Sequence, residues 1–282
     1  MINTGAMYKL LYIVPKNLVS FVLGQAVGFK LPSFLNEPLK KWFVKRYQLD
    51  MNEAEFSLNH YDTLGDLFVR KLKPGIRPLG EGYVHPCDGE LTRGGLIEQG
   101  QLIQAKGKTY SLKKFLADIE GWEAFQGGQY LTYYLCPRDY HRVHSPVSGK
   151  ILSCTHVPGK LWPVNPWSVE NITQLFAINE RTLTLIETDR GLVMVVMVGA
   201  TNVGKMTMSF DREIVTNASH FRSLNTKEYH PTIDVEKGQE LGIFNMGSTV
   251  IVLTTPSFFA NQQPEIVKDH VKYGESLKFK KD

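Results

Sequence analysis

Cysteine is scarce: Cys87, Cys136 and Cys154 are the only three in 282 residues. They lack the close spacing of zinc or redox motifs, and an odd count argues against a disulfide framework, so a reduced, cytoplasm-facing protein is expected. Long apolar runs are also missing. The longest, Leu18 to Phe29, is interrupted by Ser20, Gly24, Gln25 and Gly28 and falls well short of the roughly 20 residues a membrane-spanning helix needs. The start of the chain shows neither the charged, apolar and small-residue sequence of a signal peptide nor an Arg/Ser-rich transit segment, so it reads as untargeted. No Gly-x-Ser-x-Gly elbow occurs, which weighs against an α/β-hydrolase. Fixed-period repeats, low-complexity linkers and successive βαβ units are absent as well.

What is present suits a folded enzyme of one large or two modest domains. Hydrophobic residues make up 43% and charged residues 21%, close to globular averages. The net charge of +4 is unevenly spread. Residues 1 to 50 carry seven cations against Glu37 and Asp50, a local charge of +5, which leaves −1 for the rest. An anionic partner should therefore meet the N-terminal part; no nucleic acid is expected. Two pieces there could lie on a membrane surface. One has Leu10, Leu11, Ile13, Val14, Leu18, Phe21, Val22 and Leu23 beside Lys9 and Lys16. The other, Pro38 to Leu49, places Leu39, Trp42, Phe43 and Tyr47 on one face with Lys41 and Lys45 opposite. Ordinary amphipathic helices packed on the body would give the same pattern.

Helical spacing recurs from Thr63 to Leu72, until Pro74, Gly75 and Pro78 stop it. Strand-like runs follow at Leu102 to Ala105, Tyr130 to Leu135, Lys150 to Val157, Thr182 to Glu187, Leu192 to Val198 and Thr249 to Leu253. Short helices are expected at Leu112 to Ala117 and near Val169 to Ile178. The fold class is α+β: a helical, membrane-associating N-terminus (residues 1–60), then a compact, mainly antiparallel β body with short helices (residues 61–282).

Three stretches could carry chemistry. Gly247-Ser248 precedes the apolar run Thr249 to Leu253, a pattern that fits a turn before a buried strand. It equally allows the Ser248 hydroxyl to attack the Gly247 carbonyl, the glycine permitting the close approach of an N-to-O acyl shift. In Pro137-Arg138-Asp139-Tyr140-His141-Arg142-Val143-His144, an odd histidine separation on a strand sends the two rings to opposite faces, so a shared metal is not expected. Each histidine could be structural, or could serve as a base near pH 7. His85-Pro86-Cys87-Asp88-Gly89-Glu90 carries a strong turn signal, and its carboxylate could also orient a histidine. Asp88, His144 and Ser248 together would make an Asp-His-Ser arrangement, which geometry and not chain order defines.

In combination these stretches resemble the phosphatidylserine decarboxylase family. The matching residues also include Ala105-Lys106-Gly107 with Tyr110-Ser111-Leu112, Val157-Pro158-Gly159, Asn165 to Arg181, Val198-Gly199-Ala200-Thr201, and Lys237-Gly238 through Gly247-Ser248-Thr249. Met246 stands where the family motif usually has Leu, a substitution of near-equal volume without chemical consequence.

The resemblance implies self-cleavage between Gly247 and Ser248, giving a β chain of residues 1–247 and a 35-residue α chain, 248–282. The two should remain associated as an α/β heterodimer, with a dimer of such heterodimers left open. His144 would be the processing base, Asp88 its orienter and His141 a residue of the decarboxylation. Ser248 would become a covalent pyruvoyl group, the cofactor, forming a Schiff base with phosphatidylserine and accepting the electrons released with carbon dioxide, as pyridoxal phosphate does elsewhere. Phosphatidylethanolamine would be the product, with no metal needed. An anionic lipid substrate also favours a peripheral location on the cytoplasmic side of the cell membrane, where each well-placed Lys or Arg is worth about 1 kcal/mol. A Ser-His-Asp lipid hydrolase with intact Ser248, and a non-enzymatic membrane scaffold, are the rivals.

Overall fold

Every residue of Thr249–Thr254 is buried, which requires a strand inside a sheet covered on both faces. The computed structural model has that arrangement; the residues described are 25, 27–105, 107–201, 205–217, 223–245, 249–260, 262–266 and 269–280. Among the described residues the α-helices from Ser33 onward are α1 (Ser33–Tyr47), α2 (Leu64–Phe68), α3 (Leu112–Phe115), α4 (Pro166–Asn171) and α5 (Leu175–Ile178). The strands are β1 (Gly89–Leu96), β2 (Gln101–Ala105), β3 (Lys108–Ser111), β4 (Gln129–Tyr134), β5 (Arg142–His144), β6 (Gly149–Val157) and β7 (Arg181–Thr188). They continue with β8 (Gly191–Val198), β9 (Met206–Met208), β10 (Asn225–Val235), β11 (Glu240–Phe244), β12 (Thr249–Thr254) and β13 (His270–Val271).

Eight strands form one antiparallel sheet in the order β10-β6-β7-β8-β12-β4-β1-β13. Because side chains alternate along a strand, β12 feeds two cores. Val250 and Val252 join Leu131, Tyr133, Val195 and Met197 beneath the small sheet β5-β11-β9. Ile251 and Leu253 join Tyr130, Val196 and Val198 beneath the β2-β3 hairpin and α3 to α5. Each such fully buried side chain contributes about 1.5–3 kcal/mol, which fixes β12 in the middle of the body. Among the described residues no helix is long and apolar enough to cross a membrane.

The N-terminal helices differ from the sequence pattern in two ways. First, α1 begins at Ser33, ahead of Pro38, and its packed stripe is Asn36, Lys40, Phe43 and Tyr47. Trp42, expected on the same face as Phe43, is 56% exposed, with Phe34 (73%) and Leu35 (50%). The cause is that polar residues occupy the packed side and find partners there. Asn36 Nδ2 donates to the Asp62 carbonyl at 2.8 Å, and Lys40 Nζ donates to the Tyr61 carbonyl at 2.7 Å and pairs with Glu37. Second, the helix expected to run to Leu72 ends at Phe68. Thr63 opens it with a capping box to Asp66, but Lys71–Lys73 instead pair with the backbone of Glu53–Glu55. The apolar segment Leu10 to Leu23 lies outside the described residues.

Candidate active site

One row of residues crosses the end of the large sheet: Val198, Thr249, Tyr134, Glu90 and His270 are neighbours in successive strands. Gly247 and Ser248 lie outside the described residues; Thr249, the residue after Ser248 in the chain, opens β12 at this end of the sheet. Asp88 arrives here through Gly89, the first residue of β1. At φ +152° a side chain on Gly89 would place its Cβ 2.6 Å from the Tyr134 carbonyl oxygen, so only glycine lets β1 start this close to β4.

Asp88 is buried and held from two sides. Its Oδ2 accepts from Arg77 Nη2 at 3.1 Å, and its Oδ1 accepts the Tyr273 backbone N–H at 2.9 Å. Arg77 is gripped in turn by both oxygens of Glu53, at 2.7 and 2.6 Å, and Lys272 adds a contact to Glu53 at 2.8 Å. Hydrogen bonding from Arg77 holds the Glu53 carboxyl at about 2, well below its usual range. Burial pushes Asp88 up, against the pull of the Tyr273 N–H and Arg77.

His144 ends β5, and its backbone N–H donates to the Pro86 carbonyl at 2.8 Å, tying it to the segment that carries Asp88. Its Nδ1 lies 2.8 Å from the Gly238 carbonyl. A carbonyl only accepts, so Nδ1 carries the proton and Nε2 is the lone-pair nitrogen, accepting from the Tyr140 hydroxyl at 3.1 Å. Burial lowers the ring's pKa to about 4, leaving a neutral base at pH 7. Tyr273 stacks on it at 3.8 Å and 16°. Asp88 and His144 share no hydrogen bond; Tyr273 connects them, its N–H on the carboxylate and its ring on the imidazole. A cavity of about 220 Å³ reaches the ring between the Lys71 to Arg77 loop and Glu240.

His141 faces the other way, as the odd spacing requires. It is fully buried against Phe68, with ring centroids 4.0 Å apart. Nδ1 donates to the Asp139 carbonyl at 2.8 Å, and among the described residues Nε2 is buried without a hydrogen-bond partner. Burial lowers its pKa to about 4. Its own carbonyl accepts the Phe244 N–H at 2.9 Å, which registers the end of β11 on His141 just before the segment that leads to Thr249.

The structure therefore brings Asp88, His144 and His141 to the sheet end that carries Thr249. Sequence reasoning missed Arg77, Glu53, Tyr140 and Tyr273, and also a pair formed by Asp139 Oδ1 and His270 Nε2 at 2.7 Å. Tyr140 was within reach, since it sits in the same motif as both histidines; no local pattern marks Tyr273, which meets Asp88 across 185 residues. Burial drives the Cys87 thiol well above its usual value, so this neighbour of Asp88 stays protonated and unreactive. Among the described residues no cluster of three or more His, Cys, Asp or Glu is arranged to hold a metal.

The chain is similar to known proteins over most of its length. The sequence profile described as phosphatidylserine decarboxylase matches residues 64–279. A phosphatidylserine decarboxylase proenzyme of Myxococcus xanthus is 41% identical over 90% of this chain and 91% of its own. That of Anaeromyxobacter sp. is 40% identical over 98% of both chains, and that of Shewanella woodyi is 39% identical over 86% of both.

Proposed function

The chain belongs to the phosphatidylserine decarboxylase family, a family of carboxy-lyases, and from that premise we propose that it cleaves itself at Gly247-Ser248 and decarboxylates phosphatidylserine with the group so formed. The observation that carries this reading is the convergence of a neutral, tautomer-fixed His144 and a buried Asp88 on the sheet end where Thr249 begins β12.

In processing, His144 Nε2 takes the proton of the Ser248 hydroxyl as its oxygen attacks the Gly247 carbonyl carbon, and returns it to the amide nitrogen, which leaves as the amine. The resulting ester loses the Ser248 α-proton, and the Gly247 carboxylate departs. Water then converts the dehydroalanine at position 248 to a pyruvoyl group with release of ammonia. The Tyr140 hydroxyl, already on Nε2, must turn aside or relay the proton. Asp88 orients His144 through Tyr273, whose backbone it anchors.

The surroundings fit a pyruvoyl group at residue 248: an orphaned buried nitrogen, His141 Nε2, lies at this sheet end, and a cavity borders Thr249. That group supplies the electron sink for the pair released with carbon dioxide. His141, kept neutral by Phe68 and burial, takes the proton shed by the substrate amine and returns it to the carbon that lost the carboxylate. Phosphatidylethanolamine is the product.

After cleavage the α chain 248–282 stays with the β chain as a heterodimer, a reading supported by β12 lying between β4 and β8 and by β13 pairing with β1. The enzyme docks as a peripheral protein on the cytoplasmic face of the cell membrane through its first 60 residues. That docking is supported by the exposed Phe34, Leu35 and Trp42 beside exposed Lys41, Lys45 and Arg46. Intact-mass analysis tests the central claim: a 35-residue fragment with a blocked N-terminus and phosphatidylserine turnover are expected, whereas a single active chain with Ser248 intact would favour a hydrolase.

A further inference from the structure

The cavity beside Thr249 is about 200 Å³ in volume and opens on the helix-covered face of the large sheet. Its floor includes Glu90, Arg93, Thr132 and Thr249, and Val164 and Phe176 stand in its wall. The polar floor carries one charge of each sign. Glu90 lies in the row of Thr249, separated from it by Tyr134. Arg93 lies in the row of Ile251, separated from it by Thr132. Among the described residues neither charge is in a salt bridge. Among the described residues the Arg93 guanidinium has only its Nη1 committed, to the neighbouring Thr92 carbonyl at 3.2 Å. Thr132 is buried and its hydroxyl completes no well-formed hydrogen bond.

We propose that this cavity binds the phosphoserine headgroup of the substrate, with Arg93 holding the phosphodiester and Glu90 facing the amine end; the inference rests on the decarboxylase reading above. Residue 248 is one peptide unit, about 3.8 Å between Cα atoms, from the cavity wall at Thr249. Ordinary strand spacing and rise place the Cα atoms of Arg93 and Thr249 roughly 12 Å apart, a span that an arginine side chain and a phosphoserine headgroup bridge together. The charges also set direction. The phosphate is drawn to Arg93, two residues along the strands from the Thr249 row, while the amine is drawn to Glu90 in that row and so toward residue 248. Apolar Val164 and Phe176 suit the glycerol end.

The test uses the processed holoenzyme with short-chain phosphatidylserine in neutral detergent micelles, which removes any effect of surface charge on membrane binding. Arg93→Ala and Arg93→Gln should cleave completely, which reports that they fold. They should raise KM about 10- to 100-fold, the range for loss of a charge-assisted hydrogen bond, with kcat within a few-fold of wild type. Arg93→Lys should recover part of the loss. Inhibition by glycerophosphoserine should weaken in parallel, while inorganic phosphate should inhibit only weakly, because it lacks the amine end. An O-alkyl serine ether without phosphate should be turned over alike by all variants. An unchanged KM, or an equal penalty on the phosphate-free ether, overturns the assignment. If wild type fails to decarboxylate phosphatidylserine, the functional reading falls; if it succeeds and Arg93→Ala matches it, this inference alone falls.

Discussion

Tyr273 lies flat on His144, ring centroids 3.8 Å apart, and the same residue's backbone N–H holds Asp88. The link between Asp88 and His144 therefore runs through a segment that the proposed cleavage at Gly247-Ser248 would assign to the α chain. Replacing the ring should uncouple His144 without touching Asp88. Tyr273→Ala is expected to slow self-cleavage of the precursor by about 10-fold or more, on the scale of a lost aromatic stack of about 0.5–1.5 kcal/mol plus loosened orientation. Tyr273→Phe should cleave at close to the wild-type rate, since the hydroxyl is not part of the contact. Gel assays of precursor cleavage over time decide the matter; equal rates for the two variants would remove Tyr273 from the mechanism.

Arg77 supports the other end of that link. It is buried between Glu53 and Asp88, with bidentate geometry to the first. Removing it leaves the buried Asp88 carboxylate without its cation and the half-buried Glu53 with Lys272 alone; breaking a buried pair typically costs about 3–5 kcal/mol. Arg77→Ala should lower the denaturation midpoint markedly and raise the Asp88 pKa further. A double-mutant cycle of Arg77→Met with Glu53→Gln should return part of the lost stability, because the uncompensated charge goes with the pair. Full additivity of the two losses would mean that the ion pair contributes nothing.

Much of this frame was legible in the sequence, and the reason differs by element. The strands β4, β6, β7, β8 and β12 are runs of β-branched and aromatic residues, and burial on both faces makes such runs unmistakable. β10 is an exposed, polar strand at the sheet edge with Pro231 inside it, so neither hydropathy nor propensity signals it. β1 carries Gly94 and Gly95, which weaken its strand signal. Asp88 and the two histidines stood out because they sit in dense motifs. Arg77 and Tyr273 did not, because what gives them a role is packing between distant segments, and a single sequence shows no pairing of that kind.

The two histidines should separate in function while sharing one pH response. His144→Ala is expected to remain an uncleaved precursor, and His141→Ala to cleave but turn over slowly, by about 10²–10⁴-fold, the usual weight of general acid–base catalysis. Cleavage by His141→Ala with full activity would remove it from the chemistry. Burial depresses His85, His141 and His144 to about 4. As the pH falls from about 6.5 towards 4, the unfolded chain takes up protons that the folded rings refuse, so stability is lost across that window, by about 3 kcal/mol for each such ring. Glu53 acts in the same sense lower down, losing its contribution as the pH falls through 4.5 towards 2. His270, raised by its bond to Asp139, acts oppositely: its contribution is full below about 6.5 and is lost as the pH rises through its folded pKa. Chemical denaturation at pH 7 and 5 should show the net acid loss. The processing rate of the precursor, measured above the unfolding limit, should stay flat through pH 6.5 where an exposed histidine base would already fail.

The inverted helix α1 makes the last prediction specific. Its body-facing stripe holds Asn36 and Lys40, both satisfied by hydrogen bonds, while Phe34, Leu35 and Trp42 face outward. A helix folded only to pack on the body would turn Phe34, Leu35 and Trp42 inward as it does Phe43 and Tyr47, and exposing them has a cost unless a further surface covers them. An anionic bilayer suits them, because Lys41, Lys45 and Arg46 flank the same apolar side chains. Phe34→Ser with Trp42→Ser should leave self-cleavage and thermal stability unchanged, since neither side chain is buried, yet reduce flotation with phosphatidylserine-containing vesicles by about 10-fold or more. Lys41→Gln with Lys45→Gln should weaken binding only at low salt, where charges act over about 10 Å or more. If both double variants float like wild type, and deletion of residues 1–35 also leaves vesicle binding intact, the docking surface lies elsewhere on the body.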